Sequence, residues 1–135
     1  MSDFDFRPID LSPAGIAQAC ELLRLVFPTA THITPDYLAR LYFGNPLGES
    51  FGNSCFDGEG RLVAHNILIP ICARVHGRDE MGIWPFQLAT HPQARMKGLF
   101  AAIMEKTHVD CRERGYGYLS GVGNQNSTPI LVGKW

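Results

Sequence analysis

Several features are scarce or missing in this sequence, and each absence narrows what the chain can do. No apolar run approaches the ~20 residues a helix needs to cross a bilayer, so no membrane span is expected. The first residues, Met1 to Arg7, are acidic and lack the apolar core of a secretory leader. Four cysteines, Cys20, Cys55, Cys72 and Cys111, are scattered without a C-x-x-C pair or a histidine at ligand spacing. They read as free, buried thiols in a reducing cytoplasm, and no metal is indicated. Basic excess is missing as well: 12 Lys and Arg against 13 Asp and Glu leave a formal charge of −1. That excludes the electrostatic footprint of a nucleic-acid binder. Repeats, low-complexity segments and linkers are absent.

What is present is ordinary globular material. The chain has 135 residues, 45% hydrophobic and 19% charged, which predicts one domain over 1–135 with a sizeable core. Phe4 and Phe6 alternate with Asp3, Asp5 and Arg7, a half-buried strand pattern. Ser12-Pro13 supplies a helix cap followed by proline at the first turn. Ile16, Ala19, Cys20, Leu23, Val26 and Phe27 then recur at helical spacing, predicting a helix over 13–26 that Pro28 ends. Thr34-Pro35 repeats the signal for a second helix carrying Tyr37, Leu38, Leu41 and Tyr42, broken at Gly44 to Gly48.

Strands are expected over 50–56, over 61–75 and over 80–90, joined by turns at Asp57 to Gly60 and His76 to Asp79. Pro70 predicts a bulge, bend or edge position, and Pro85 interrupts the following strand. A long helix over 97–114 carries Phe100, Ile103, Met104, Thr107 and Cys111 down one face. A strand over 116–122, a polar turn at Asn124 to Ser127 and a helix starting at Thr128 complete the chain.

The stretch from Leu88 to Ser127 therefore reads as a right-handed strand–helix–strand crossover with parallel strands. Its turn suits an anion. Arg95 and Lys97 supply charge, Gly98 permits close approach of backbone, and the amides of Lys97 to Phe100 are the unpaired donors of a helix start. Gly98 stands alone, which disfavours a glycine-rich nucleotide loop.

Leu88-Ala89-Thr90-His91-Pro92, two residues, then Arg95-x-x-Gly98-x-Phe100 resembles the acyl-CoA-binding motif of GNAT-type N-acetyltransferases. The likeness runs from about residue 4 to the C-terminus and is strongest over 80–132. Phe100 departs from the Gly or Ala of the family pattern. The resemblance implies an α/β (α+β) fold: a mixed, mostly antiparallel twisted sheet flanked by helices, with a splayed parallel strand pair around the acyl-CoA site. It implies acetyl-CoA as co-substrate, held by Leu88, Ala89, Thr90, Arg95, Met96, Lys97, Gly98, Leu99, Phe100, Asn124 and Asn126. It implies acetyl transfer to the primary amine of a small molecule, an amino sugar by preference, through direct attack in a ternary complex. Tyr37, Tyr42 and Asn45 are candidates for touching the acceptor.

An amine with a free pKa near ~10 must lose a proton before it attacks, and a positioned base contributes about 10²–10⁴-fold. The candidates are Glu80, His65, and Gln87 as a holder of water; His91 reads as structural. The tyrosine that the family carries as acid on its last helix has no match in Thr128 to Trp135. A second reading is therefore an acyl-CoA-binding module without turnover, a sensor or scaffold. The chain stops early against the family pattern, which predicts a domain lacking its last strand or strands. The open edge so left predicts a homodimer.

Overall fold

Ser12 and Thr34 organise the first half of the molecule. In the computed structural model, which describes residues 3–121, 123, 125, 128 and 129, a short strand β1 (Asp5–Pro8) leads into helix α1 (Pro13–Val26). The Ser12 hydroxyl accepts from the Gly15 amide at 3.2 Å, and Pro13 fills the first helical position. Gly15 lies against the Asp10 carbonyl, where a Cβ would collide. The Thr34 hydroxyl caps α2 (Pro35–Tyr42) in the same way, accepting from Tyr37 at 3.1 Å.

Strands β2 (Phe51–Phe56), β3 (Leu62–Val75) and β4 (Arg78–Thr90) follow, then a 3-10 turn (Pro92–Ala94) and helix α3 (Leu99–Glu113). The sheet order is β1-β2-β3-β4, every pair antiparallel. Alternation along β3 sends side chains to two cores. Ile67 joins Ile16, Leu23, Leu38 and Tyr42 under α1 and α2, with Ala89 of β4. Ala64 meets Leu99 and Ile103 under α3, and Leu68 meets Phe51, Ile83 and Cys111. Helices thus cover both faces of the sheet. No helix among the described residues is long and apolar enough to cross a membrane.

The two prolines do different work from each other. Strand β2 reaches only as far as Leu68, opposite Phe51, so Pro70 occupies an edge on that side and its missing N–H costs no ladder bond. Pro85 acts on the last strand. The Ile83 amide donates to the Tyr118 carbonyl and the Ser120 amide to the Ile83 carbonyl, both at 2.9 Å, a parallel pairing centred on Leu119. The next bond in such a ladder requires an N–H at residue 85. Proline has none, so Pro85 cannot make that bond. Among the described residues, the expected strand over 116–122 shows the bridge at Leu119 and its neighbouring bonds.

A bulge does form, but at Gln87. Ile67 pairs with Phe86 and His65 with Ala89, so two steps on β3 face three on β4. Gln87 carries the extra residue at φ 51. Helix α3 starts at Leu99 instead of Lys97 because Gly98 takes φ 77 as its cap. On α3, Leu99, Ile103, Met104, Thr107 and Cys111 are buried and Phe100 is half-buried. Cys20, Cys55 and Cys111 are buried free thiols, whereas Cys72 is exposed on the part of β3 that β2 does not cover. Asn124, Asn126 and most of the expected final helix lie outside the described residues.

Candidate functional site

Strand β4 delivers three residues to the head of α3. Ala89, 2% exposed, packs under α1 and α2, Leu88 packs on the opposite core, and Thr90 pairs with Ala64. The His91 amide donates to Val63 at 2.7 Å, and its Nδ1 accepts from the Gln93 amide at 3.1 Å. That makes His91 a structural cap. Arg95 Nε donates to the Thr90 carbonyl at 3.4 Å, tying the turn back to the strand.

The turn itself has two left-handed residues, Met96 at φ 64 and Gly98 at φ 77. Backbone of this kind brings successive amides together into an anion-binding concavity. Gly98 offers no side chain to cap α3, so the first amides of the helix lack intrahelical partners. No acidic side chain stands in that first turn, so nothing opposes an anion there. Arg95, Met96, Lys97 and Gly98 are all exposed. Lys97 Nζ lies 5.6 Å from the Phe4 ring centroid, while Lys106 sits over Phe6 at 5.4 Å, further along α3.

Beside the bulge, α2, β3 and β4 contribute one side chain each. Tyr42, 2% exposed, donates its hydroxyl proton to Gln87 Oε1 at 2.6 Å and lies 3.4 Å from His65 Nε2. Because the phenol proton is committed to Gln87, the ring hydrogen of His65 belongs on Nε2. Nδ1 then carries a lone pair that has no partner among the described residues. Full burial pushes the His65 imidazole down to about 4, and burial raises the Tyr42 phenol well above its ordinary range. Both groups are neutral near pH 7, so the trio is a hydrogen-bond lock and not an acid–base pair.

The structure therefore brings together His65, Gln87 and Tyr42 and leaves the other candidates apart. His65 is sealed from solvent and protonates too low to act as a base at neutral pH. Tyr42 lies beneath the surface, with its hydroxyl committed, and does not face an acceptor. Glu80 is exposed and pairs with Ala73. It stands seven positions before Gln87 on β4, roughly 23 Å at strand rise, and on the closed side of the Ile83–Leu119 bridge. Asn45 donates to the Pro70 carbonyl at 2.8 Å and accepts from the Leu47 amide at 3.0 Å, which pins the α2–β2 loop. Tyr37 is half-buried, edge-on to His32 at 5.0 Å.

A cleft of about 650 Å³ lies on the other side of the turn, lined by Phe4, Asp57, Arg61, His91 and Lys97 among others. Asp3 and Glu59 line it too. Arg61 pairs with Asp57 and Glu59 there, and none of His65, Gln87 and Tyr42 borders it.

Comparison with known proteins agrees with this geometry. A family model described as an acetyltransferase (GNAT) domain matches residues 7–128. The fold is similar to that of a GCN5-related N-acetyltransferase from Ralstonia eutropha, with 20% identity, 98% of this chain and 92% of that one covered, and TM-score 0.76. It is similar to a predicted acetyltransferase from Clostridium acetobutylicum crystallised with acetyl-CoA (14% identity, 96% and 87% covered, TM-score 0.76). Glucosamine-6-phosphate N-acetyltransferase from Arabidopsis thaliana is a third (12%, 96% and 89%, 0.70). No curated protein matches in sequence.

Proposed function

This chain belongs to the GNAT acetyltransferase family, and from that premise we propose that it moves an acetyl group from acetyl-CoA to the primary amine of a small molecule, an amino sugar by preference. The observation that carries the reading is the juxtaposition at the end of β4. A strand loses a parallel ladder bond at Pro85, bulges at Gln87, and runs directly into an uncapped helix start flanked by Arg95 and Lys97.

Those residues fit the co-substrate's chemistry. The amides from Lys97 to Phe100 are donors for a diphosphate, with Arg95 and Lys97 as counter-charges. The side chain of Leu99 is core, so only its amide is offered. The backbone of Leu88 to Thr90 is placed to pair with an amide-bearing arm as an added strand. Acetyl-CoA supplies the activated acyl group as a thioester. The bulge leaves one β4 residue without a β3 partner, which frees main-chain donors where an acyl oxygen gains negative charge. Gln87 Oε1 is tied to Tyr42, but its amide N–H groups remain available to orient the amine or a water that accepts its proton.

A second reading, an acyl-CoA-binding module without turnover, has one observation in its favour. The cluster beside the bulge contains no carboxylate, and its histidine is buried and neutral.

The experiment is transfer itself. The protein is incubated with acetyl-CoA and a panel of primary amines that includes amino sugars, and both acetylated product and released CoA are counted by mass spectrometry. The proposal expects one CoA released per acetylated amine, with at least one amine strongly preferred. Binding of acetyl-CoA with no product from any amine supports the second reading. An absence of binding overturns both.

A further inference from the structure

Among the described residues, three besides glycine adopt left-handed backbone: His76, Gln87 and Met96. His76 sits in the exposed turn between β3 and β4 and Met96 in the exposed turn before α3, where local turn geometry accounts for them. Gln87 is different. It lies inside a strand, half-buried, and glutamine has no intrinsic preference for positive φ. Such a residue persists only where its surroundings over-determine it. The surroundings here are a single directed chain of hydrogen bonds from three elements.

Resting on the reading of the site given above, we infer that Tyr42 is a positioning residue: through Gln87 Oε1 it holds the β4 bulge, and with it the register of the acyl-CoA-binding backbone from Leu88 to Thr90. Tyr42 and Gln87 are 45 residues apart in sequence and 2.6 Å apart in space. The phenol has little freedom to move, since Tyr42 is 2% exposed and packs in the core with Leu23, Leu38 and Ile67. Its hydroxyl lies between His65 Nε2, 3.4 Å away, and Gln87 Oε1, which accepts its proton at 2.6 Å.

The bulge matters for register. The extra residue at Gln87 is what brings Ala89 opposite His65 and Thr90 opposite Ala64. Without it the end of β4 slips by one position, and a one-residue slip sends every side chain to the opposite face. Ala89, now under α1 and α2, would exchange faces with Leu88, now under α3. The main-chain groups available to a ligand would exchange with them. The lock thus sets the shape of the strand next to the reacting centre from a helix that carries none of the proposed CoA-binding residues.

The test is a four-way cycle of wild type, Tyr42→Phe, Gln87→Gly and the double variant, read by kcat and KM for acetyl-CoA and by the amide coupling constant and Cα shift of residue 87. Glycine adopts positive φ without strain, so a bulge built on it no longer needs the phenol. The expected result is a loss of about tenfold or more in kcat for Tyr42→Phe, with residue 87 leaving the left-handed region. In the Gln87→Gly background the same Tyr42→Phe change has little further effect. Gln87→Leu, which removes the acceptor and keeps Tyr42, reproduces the loss from the other side and serves if Tyr42→Phe folds poorly.

A merely structural tyrosine lowers Tm and leaves kcat of the folded enzyme unchanged, and that outcome overturns the inference. So does an equal loss in both backgrounds, which would mean that Tyr42 acts by another route. A wild type that neither binds nor turns over acetyl-CoA removes the site reading instead. In that case an unchanged coupling constant at residue 87 in Tyr42→Phe also removes the lock.

Discussion

Replacing His65 with glutamine flattens the acid limb of the stability curve by about 3 kcal/mol. His65 is fully buried, and desolvation pushes its imidazole from an ordinary 6.5 down to about 4. Between those values the unfolded chain takes up a proton that the folded chain refuses. A group with a depressed histidine pKa therefore leaves stability intact above pH 6.5 and removes it as pH falls toward 4. At 1.36 kcal/mol per pH unit, the full gap gives the figure above.

Glutamine at 65 keeps a donor for the Tyr42 oxygen but does not titrate. The carboxyls of Asp10 and Asp57, held below their usual range by the backbone amides of Ser12 and Arg61 respectively, lose stability at low pH in both proteins. The difference between the two curves isolates His65. Urea unfolding at pH 7, 5.5 and 4 measures it. Parallel curves would mean that the ring is protonated in the folded state or reaches solvent.

Asn66→Ala costs about 3 kcal/mol at neutral pH, enough to lower Tm by roughly 10 °C. Asn66 is on β3 opposite the bulge, fully buried, and its side chain turns toward α3. Oδ1 accepts from the Asn53 amide at 3.0 Å, and Nδ2 donates to Thr107 Oγ1 at 2.8 Å. Thr107 in turn donates to the Ile103 carbonyl at 2.9 Å. Alanine leaves the Asn53 amide and the Thr107 oxygen without that partner inside the protein and opens a void beside them. The loss of one buried partner costs more than the bond contributes. Thr107→Val alone costs about 1–2 kcal/mol, and the double variant costs less than the two singles together, by about 1 kcal/mol. Chemical unfolding of the four proteins decides it. Additive losses would show that the chain from β2 to α3 does not act as a unit.

Much of this architecture is visible in local sequence because local chemistry determines it. Ser12-Pro13 and Thr34-Pro35 each carry their own cap, and α1 and α2 start where those signals predict. Gly98 is legible as a glycine at the turn before α3, but its left-handed φ of 77, which starts the helix two residues later than expected, is not. The prolines were legible only as punctuation. That Pro70 is harmless and Pro85 withholds a ladder bond depends on where β2 stops and where Leu119 arrives.

The resemblance implies a bulge in this strand and Pro85 is a local reason for one, but its seat at Gln87 is not legible nearby, because the partner that meets it there is a tyrosine on another helix. Tyr42 is legible as part of the apolar face of α2, but the pairing that ties its hydroxyl to Gln87 is not. Asn53 and Asn66 are polar residues within the strands β2 and β3. They are buried because α3 packs over that face and supplies partners, Asp110 for the one and Thr107 for the other. Glu80, a candidate base, stands apart from the bulge because position along a strand is distance, and β4 is 13 residues long.

The claim that acetyl-CoA sits on the turn before α3 is tested most directly by thermal denaturation with increasing acetyl-CoA, wild type beside Gly98→Trp. Nothing lies within 4 Å of where a Cβ at Gly98 would stand, so the variant has room to fold, with the strain of a side chain at φ 77. Its indole would cover the amides of the helix start. Wild type should gain about 2.7 kcal/mol at ~100 times the dissociation constant, and Gly98→Trp should gain nothing. Equal stabilisation of both proteins would place the ligand elsewhere, and none in either, with both folded, would contradict the account.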